Sequence, residues 1–393
     1  MYVSVFLKIL ILIFSGFQTN LLNAEFYKES NFNSLKPTKL NISIFIFNDK
    51  NRNGKYDLGD SAMTGVVTQL IKPNGMIINE KSNKAGYTNF KMALGSSNYQ
   101  DINKGQEVYT FNTQIPPNWK VTTKNKQQKI LFSDKVGSPG GLIAANNPNW
   151  VGLAPSLTIK GRLLTNQERS YPKDITLNAR GPNGRIKKIK LDKSGEYKFD
   201  VEQGKWELLF KSKSSNWEKI KKIKVNHAPI RIMDIYIGSK ELPRNKNVRL
   251  ENFDWINYTE LEKIPNEHLD LNWNYLMAVH HRNSSGPGYN NVLNSGHGIG
   301  YNSSGHPVTI TANKGESFDF IGGYFTVGWN KANGEIINLQ GFRNGEKIAE
   351  NKFKLSYLGP IWIEADLRRI DKLIISTEHY WQFGAEDLKF RTK

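Results

Sequence analysis

Oxygen-bearing side chains alternate along one short stretch of the sequence, from Asp49 to Asp60. A hard cation such as calcium takes about six to eight oxygen ligands, and alternate residues of a curling loop direct their side chains to one point. Gly54 stands at the sixth position, where such a loop turns sharply. The spacing therefore predicts a calcium site whose ligands are Asp49, Asn51, Asn53, Lys55 (through its backbone carbonyl), Asp57 and Asp60.

The twelfth position of this loop departs from the usual pattern. Asp60 stands there instead of the customary Glu, and its shorter side chain reaches the ion with one oxygen or through water. A hairpin turn without metal is the alternative, because Asn, Asp and Gly are also common in such turns. Five oxygen-bearing side chains in register favour calcium.

The residues before the loop predict a β-strand that positions it. From Asn41 to Phe47 polar and apolar residues alternate, with Ile42, Ile44 and Ile46 on one side. After the loop, a Pro-x-Gly turn at residues 73–75 excludes a long helix. The loop is therefore expected between strands and not between the helices of an EF-hand.

The run from Ile42 to Phe90 resembles the SdrD B-like calcium-binding repeat of bacterial surface adhesins. In both, an alternating strand and an Asp- and Asn-rich loop precede a Gly-Val strand, a Pro-x-Gly turn and a Gly-Tyr strand, which begin here at Gly65, Pro73 and Gly86. The stretch Ile115–Trp119 is similar to the next strand entry of that group. The resemblance covers about residues 38–125 and implies a transthyretin-like β-sandwich with structural calcium.

A second β-sandwich is predicted between residues 155 and 240, where strands of five to eight residues follow one another at regular turn spacing. The hairpin Asp192–Tyr197, together with Gly204 and Trp206, resembles the carboxypeptidase regulatory-like, or CnaB-type, module, which usually has Tyr in place of Trp206. Some relatives of this module form cross-links between Lys and Asn. The many lysines here identify no such pair.

Residues 250–393 are richer in aromatic residues and Asn. An ordered set of short motifs here resembles a secreted jelly roll related to galactose-binding-like domains: Phe253 with Asp254, Leu271–Trp273, Gly341–Gly345 and a closing strand that ends at Phe390. The first and last strands lie together in that architecture. One interpretation is a second cation held by Asp254, Glu386 and Asp387, and the other places these acids on solvated strand ends.

Histidine and tryptophan give weaker signals in this last segment. His280 and His281 lack the helical spacing of a zinc protease and are expected on opposite sides of a strand. Polar loop residues suited to sugars are Tyr289, Asn291, His297 and Asn302. Aromatic residues in strands can stack on sugar rings but more often belong to the core, and the tryptophans concerned are Trp255, Trp273, Trp329, Trp362 and Trp381.

Export is indicated by the first 24 residues, in which Lys8 precedes an apolar run from Ile9 to Phe17 and Ala24 ends a polar stretch. Cleavage after Ala24 is predicted. A membrane anchor is the alternative, but the apolar run is shorter than the roughly 20 residues of a spanning helix. The mature chain is therefore expected to be soluble, and to be periplasmic, secreted or bound to the cell surface. Cysteine is absent, which excludes thiol catalysis and disulfides.

Positive charge is concentrated in the middle of the chain. The formal net charge is +18, and residues 156–240 carry 20 Lys and Arg against 9 Asp and Glu, a net of +11. In an exported protein such a field favours acidic polysaccharide or another surface polyanion over nucleic acid. A lysine-rich solvated surface is the alternative.

Together these patterns predict an all-β chain: tandem transthyretin-like and CnaB-type β-sandwiches (residues 38–150 and 155–240) followed by a C-terminal jelly roll (250–393). The predicted function is an exported, non-catalytic binding or scaffold protein with bound calcium and a carbohydrate or polyanion ligand. A purely structural protein would differ only in lacking that ligand. The alternative is a polysaccharide hydrolase or lyase on the jelly roll, which needs paired acids, whereas the stretch 280–306 contains no Asp or Glu.

Overall fold

The structure is a computed structural model that describes residues 39–93, 108–124, 127–134, 142–144, 150–165 and 173–392. The predicted signal peptide lies outside these residues. Within the described residues the chain folds almost entirely into β-strands, which confirms the predicted all-β class. Among the same residues, no helix is both long enough and apolar enough to cross a membrane.

The first segment, residues 39–155, forms two sheets. Its described strands are β1 (Lys39–Asn48), β2 (Ser61–Ala62), β3 (Val67–Ile71), β4 (Ile77–Lys81), β5 (Tyr87–Ala93), β6 (Val108–Thr113), β7 (Trp119–Val121), β8 (Gln127–Asp134), β9 (Leu142–Ala144) and β10 (Val151–Pro155). One sheet has the order β2-β1-β10-β7, with β5 also paired to β1, and the other has the order β4-β3-β6-β8-β9. The alternation predicted for β1 is confirmed, because Ile42, Ile44 and Ile46 lie in the core that joins the two sheets.

The middle segment, residues 158–237, is also built from two sheets. Its described strands are β11 (Thr158–Thr165), β12 (Ile175–Arg180), β13 (Ile186–Ile189), β14 (Glu196–Asp200), β15 (Gly204–Ser212), β16 (Glu218–Val225), β17 (Ile230–Ile232) and β18 (Ile235–Ile237). The order β13-β12-β15-β16 forms one sheet, and β14, β11 and β17 belong to the other. Leu177 and Phe210 from the first sheet and Tyr197 from the second pack in one core. The predicted turn at 192–195 carries the chain from one sheet to the other.

The last segment, residues 247–392, has a short helix among its strands. The described elements are β19 (Asn247–Glu251), β20 (Leu261–Lys263), β21 (Leu271–Asn274), β22 (Leu276–His280), α1 (Pro287–Val292), β23 (Gly298–Asn302), β24 (Val308–Ala312), β25 (Phe318–Val327), β26 (Ile336–Arg343), β27 (Glu346–Lys354), β28 (Ile361–Ile370), β29 (Lys372–Thr377) and β30 (Phe383–Thr392). The strands β21-β24-β29-β26-β27 form one sheet. As predicted, the first and last strands of the segment lie together, because β19 pairs with β30.

A single sheet continues from the middle segment into the last one. Strand β17 pairs in parallel with β28, with Ile230 opposite Trp362, so the order runs β14-β11-β17-β28-β25-β30-β23-β22-β20. The core of the middle segment likewise takes in Tyr289, Ile299 and Tyr324. Backbone hydrogen bonds and a shared core therefore connect the two segments across the boundary predicted between residues 240 and 250.

Candidate metal site

The 49–60 loop leaves the end of β1 and returns to the sheet at β2. Asp49 is fully buried, and its backbone N–H donates to the carbonyl of Leu153 on β10 at 2.9 Å. Most of the following residues, as far as Gly59, are exposed. The loop is thus fixed to the sheet where it begins and open to solvent at its tip.

The carboxylate of Asp49 organises the first half of the loop. Its Oδ1 accepts from the backbone N–H of Asn53 at 3.2 Å, and its Oδ2 accepts from that of Gly54 at 2.7 Å. Gly54 has φ +73°, and a Cβ there would lie 3.0 Å from the carbonyl oxygen of Thr122. Glycine is required at this position because both the left-handed backbone and the close approach exclude a side chain.

The side chains of Asn51, Asn53 and Asp57 contact one another. Asn51 Nδ2 donates to Asp57 Oδ1 at 2.8 Å, and Asn53 Nδ2 donates to Asp57 Oδ2 at 2.6 Å. The amide oxygens of both asparagines accept backbone N–H groups of the loop, those of Asn53 and Lys55. Three alternate residues of the loop are thus joined by hydrogen bonds between their side chains.

Asp60 closes the loop onto its own beginning. Its Oδ1 accepts from the backbone N–H of Lys50 at 2.9 Å, and its Oδ2 accepts from that of Asp57 at 3.1 Å. Burial raises the pKa of Asp60, and the charges of Asp49 and Asp57 act in the same direction. The charges of two neighbouring carboxylates therefore disfavour the ionised form of Asp60.

The donor set of the 49–60 loop fits a hard divalent cation. It contains only carboxylate, amide and carbonyl oxygens, which calcium prefers, and a glycine that allows the turn. Among the described residues, no three His, Asp or Glu side chains lie close enough together to hold a metal unaided. A cation in this loop would therefore need the amide oxygens of Asn51 and Asn53 as ligands in addition to the carboxylates. The side chain of Lys55 is exposed, so its carbonyl is the group it can offer.

Lys50 connects the loop to the other two segments, a contact that no local sequence pattern predicts. Its Nζ donates to the carbonyls of Leu293 at 2.7 Å and Asn294 at 3.1 Å in the last segment. Gln203 of the middle segment donates through Nε2 to the carbonyl of Lys50 at 3.3 Å. All three segments meet at this residue, next to the first predicted ligand.

The acids predicted for a second cation lie on either side of one loop in the last segment. Glu386 accepts from the backbone N–H groups of Asn294 and Ser295, and Asp387 accepts from Asn294 Nδ2 at 2.5 Å. Asp254 instead accepts from the backbone N–H of His297 at 2.7 Å. Each carboxylate is thus paired with neutral donors of the 294–298 stretch. Burial raises the pKa of Glu386 to about 8.

The expectation that His280 and His281 point to opposite sides of a strand was wrong. Their rings stack with centroids 4.8 Å apart, and the ring of His297 lies 4.8 Å from that of His280. The reason is local, because β22 ends at His280 and a 3₁₀ turn spans His281–Asn283, so strand alternation stops between the two residues.

Three of the four loop residues predicted to face a sugar are buried. Tyr289, Asn291 and Asn302 are 4%, 5% and 0% exposed. Asn291 Nδ2 donates to the carbonyl of Tyr357 at 2.6 Å, and Asn302 Oδ1 accepts from the backbone N–H of Phe383 at 2.6 Å. These amides hold neighbouring backbone in place, because buried polar groups require partners. His297 stays largely accessible.

The prediction that tryptophans of the last segment belong to the core is confirmed for four of the five. Trp255, Trp273 and Trp329 pack against the core, and Trp362 is buried. Trp381 is the exception, at 36% exposure.

Comparison with known proteins finds likenesses among solved structures, whereas the sequence comparisons find none. A scan of the sequence against models of protein families finds no match, and a search among curated proteins finds no relative. The TIE protein of Bacillus anthracis is similar at 13% identity over 51% of this chain and 34% of that one, with a TM-score of 0.20. This chain thus spans about a third of that protein.

Two pilin structures are similar to about half of the chain. The shaft pilin SpaA of Lactobacillus rhamnosus GG matches over 52% of this chain and 100% of its own at 10% identity, with a TM-score of 0.23. A streptococcal ancillary pilin matches over 52% of this chain and 63% of its own at 9% identity, also with a TM-score of 0.23. At such TM-scores these likenesses carry no conclusion about function.

Proposed function

We propose that this chain is an exported, non-catalytic binding and scaffold protein of the cell surface or extracellular space, and that calcium in the 49–60 loop stabilises it. The observation that carries the proposal is the place of the loop in the molecule. Through Lys50 it contacts the last segment, and through Gln203 the middle one. An ion that orders this loop therefore also orders the junction of the three segments.

Calcium would be held by the side chains of Asp49, Asn51, Asn53, Asp57 and Asp60 and by the carbonyl of Lys55. Its positive charge would favour the ionised form of Asp60, which burial and the charges of Asp49 and Asp57 disfavour. The chain itself holds two of these acids in place. The backbone N–H of Gly54 donates to Asp49, and that of Lys50 donates to Asp60.

The ligand we propose is a carbohydrate or another polyanion, and the outer face of one sheet in the middle segment supports a polyanion. Side chains alternate across the strands β13-β12-β15-β16, and most of the charged ones opposite the core are basic. Exposed bases on this face are Arg180, Lys188, Lys205, Lys211, Lys222 and Lys224. The acids among them are Glu207 and Glu218. Lysines from several strands therefore share one face, where their potentials add.

One observation bears on the alternative, a polysaccharide hydrolase or lyase. The raised pKa of Glu386 is typical of a general acid. However, its side chain is fully buried and accepts hydrogen bonds from Asn294 and Ser295. A substrate has no access to this carboxyl in the structure, so the observation favours a structural role.

Binding without cleavage is the test of this proposal. The full chain is incubated in calcium with neutral and acidic polysaccharides, and both retention of the protein and release of new reducing ends are measured. We expect retention without cleavage. Cleavage that disappears in Glu386→Gln would establish the enzyme instead, and retention on none of the polysaccharides would leave the chain as a purely structural protein.

Hydrogen exchange tests the role of the loop at the junction. Calcium is expected to slow exchange of backbone amides in 49–60 and also in 293–295, since Lys50 couples the two stretches. In Asp49→Ala neither stretch should respond. A response confined to 49–60 would show that the ion does not order the junction.

A further inference from the structure

A cleft of about 890 Å³ lies between the middle and last segments and shares no lining residue with the 49–60 loop. Strands β11 and β17 form one side, and every residue of β27 from Lys347 to Lys354 lines the other. At about 3.3 Å per residue, that row is about 23 Å long. The shape suits an extended chain better than a single small ion.

Positive charge predominates in this cleft. Six basic residues line it against three acids, and each acid is paired with one of the bases: Glu196 with Lys160, Asp234 with Arg162, and Glu350 with Lys347. Lys352 pairs outside the cleft with Glu378 at 3.7 Å. Among the described residues, no carboxylate lies within ion-pair distance of the two remaining bases, Arg231 and Lys354.

Two buried donors in the same cleft lack a hydrogen-bond partner in the part of the chain that the structure describes. They are Nη1 of Arg231 and Nδ2 of Asn351. Oδ1 of Asn351 accepts from the backbone N–H of Asp234, which fixes the amide so that Nδ2 is the free group. Burial lowers the pKa of Arg231. A buried donor without a hydrogen-bond partner is unfavourable. Two such donors in one cleft therefore indicate that a bound ligand supplies the acceptors.

We propose that this cleft binds the anionic group, carboxylate or sulfate, of an acidic polysaccharide, with Arg231 and Asn351 donating to its oxygens and Lys354 adding charge. The inference rests on the proposed binding function and names its ligand class and site. The guanidinium of Arg matches the oxygens of such a group with two parallel donors. The length of β27 accommodates the sugar residues on either side.

Calorimetry on the full chain tests this site with an oligogalacturonate, its methyl ester, dextran sulfate and dextran. The oligogalacturonate or dextran sulfate is expected to bind, whereas the uncharged ester and dextran are not. Which of the two anionic probes binds more tightly separates carboxylate from sulfate recognition. Arg231→Met should weaken binding by about tenfold or more, the effect of losing a charged hydrogen bond.

Two further variants keep the result interpretable. Asn351→Asp retains the oxygen that accepts from Asp234 but replaces the free donor with an anion, so it should weaken binding as Arg231→Met does. Lys193→Met removes one exposed charge of the middle segment that belongs to neither the cleft nor the outer sheet face, and it should change affinity by about twofold at most, as expected for an exposed charge. Melting curves establish that each variant is folded.

The outcomes separate the cleft from the wider function. If Lys193→Met and Arg231→Met weaken binding equally, the ligand is held by the diffuse field of the segment and the cleft inference is overturned, while the polyanion ligand stands. If neither anionic probe binds the native chain, the cleft holds only water and the inference fails. Retention on neutral polysaccharide would in that case still support the proposed function.

Discussion

Two turns of this molecule begin with an aspartate and contain a left-handed glycine, Gly54 in one and Gly195 in the other. In the turn at 192–195, Asp192 accepts from the hydroxyl of Ser194 at 2.7 Å and from the backbone N–H groups of Ser194 and Glu196, both at 2.8 Å. These donors, the hydroxyl of Ser194 first, hold the pKa of Asp192 below its usual range. The charge of Lys160 acts in the same direction.

The 49–60 loop places its first aspartate in different surroundings. Asp49 is buried and shares the loop with Asp57 and Asp60. Burial raises the pKa of Asp60, and the two neighbouring charges add to that effect. Backbone and hydroxyl donors thus lower the pKa of the aspartate in one turn, whereas burial and two neighbouring charges raise the pKa of an aspartate in the other.

The largest expected effect comes from replacing the first aspartate of each turn by alanine. Asp49→Ala is predicted to lower the free energy of unfolding of the first segment by about 3 kcal/mol in calcium at ten times its Kd. About 1.4 kcal/mol of this is the lost ion, and about 1.5 kcal/mol is the loss of a buried charged acceptor by Asn53 and Gly54. Thermal melting in calcium and in chelator measures both parts.

Asp192→Ala is the matched control for that prediction. It removes an exposed acceptor, so the loss should be smaller and identical in calcium and in chelator. A calcium-dependent loss in Asp192→Ala, or a loss in Asp49→Ala that does not depend on calcium, would erase the distinction between the two turns.

A lysine follows the first aspartate of each turn, Lys50 in one and Lys193 in the other. Lys50 donates to two carbonyls of the last segment, whereas Lys193 is exposed. Lys50→Met leaves both carbonyls without this donor and should lower the free energy of unfolding by about 1–2 kcal/mol. In this variant, calcium should no longer slow the exchange of backbone amides at 293–295. Lys193→Met should have no effect on melting or exchange. Equal behaviour of the two variants would mean that the Lys50 contact does not couple the segments.

The smallest expected effects are opposite responses to pH. Because the folded-state pKa of Asp60 is raised, its contribution to stability is present below its unfolded pKa, about 4, and is lost as the pH rises through the folded value. The contribution of Asp192, whose folded pKa is lowered, is present above its unfolded pKa and is lost as the pH falls through the folded value.

Melting of Asp60→Asn and Asp192→Asn in chelator between pH 3 and 7 checks these signs. Relative to the native chain, Asp60→Asn should gain stability toward pH 7, whereas Asp192→Asn should lose it. If the stability of both variants relative to the native chain changed in the same direction with pH, the environments assigned to Asp60 and Asp192 would be wrong.

Short sequence patterns predicted several of the elements that position the 49–60 loop. The alternation of Ile42, Ile44 and Ile46 predicted β1, and the spacing of Asp49 and Asp57 predicted which side chains share the loop. The Pro-x-Gly pattern also predicted the turn at residues 73–75, where Gly75 has φ 84°. Each of these features is encoded within a few consecutive residues.

Contacts between distant parts of the chain were not predictable in this way. The parallel pairing of Ile230 with Trp362 joins strands with no common local signal. The reach of Lys50 to Asn294 likewise depends on how whole segments pack. The polar loop residues Asn291 and Asn302 looked suited to a ligand because sequence shows their chemistry but not their burial.

The central claim is that the 49–60 loop binds calcium, and calorimetric titration of the full chain at pH 7 tests it most directly. We expect saturable binding of one calcium ion per chain. Asp192→Ala should retain this binding, and a folded Asp49→Ala should lack it. No saturable binding by the native chain, or binding of equal affinity in Asp49→Ala, would contradict it.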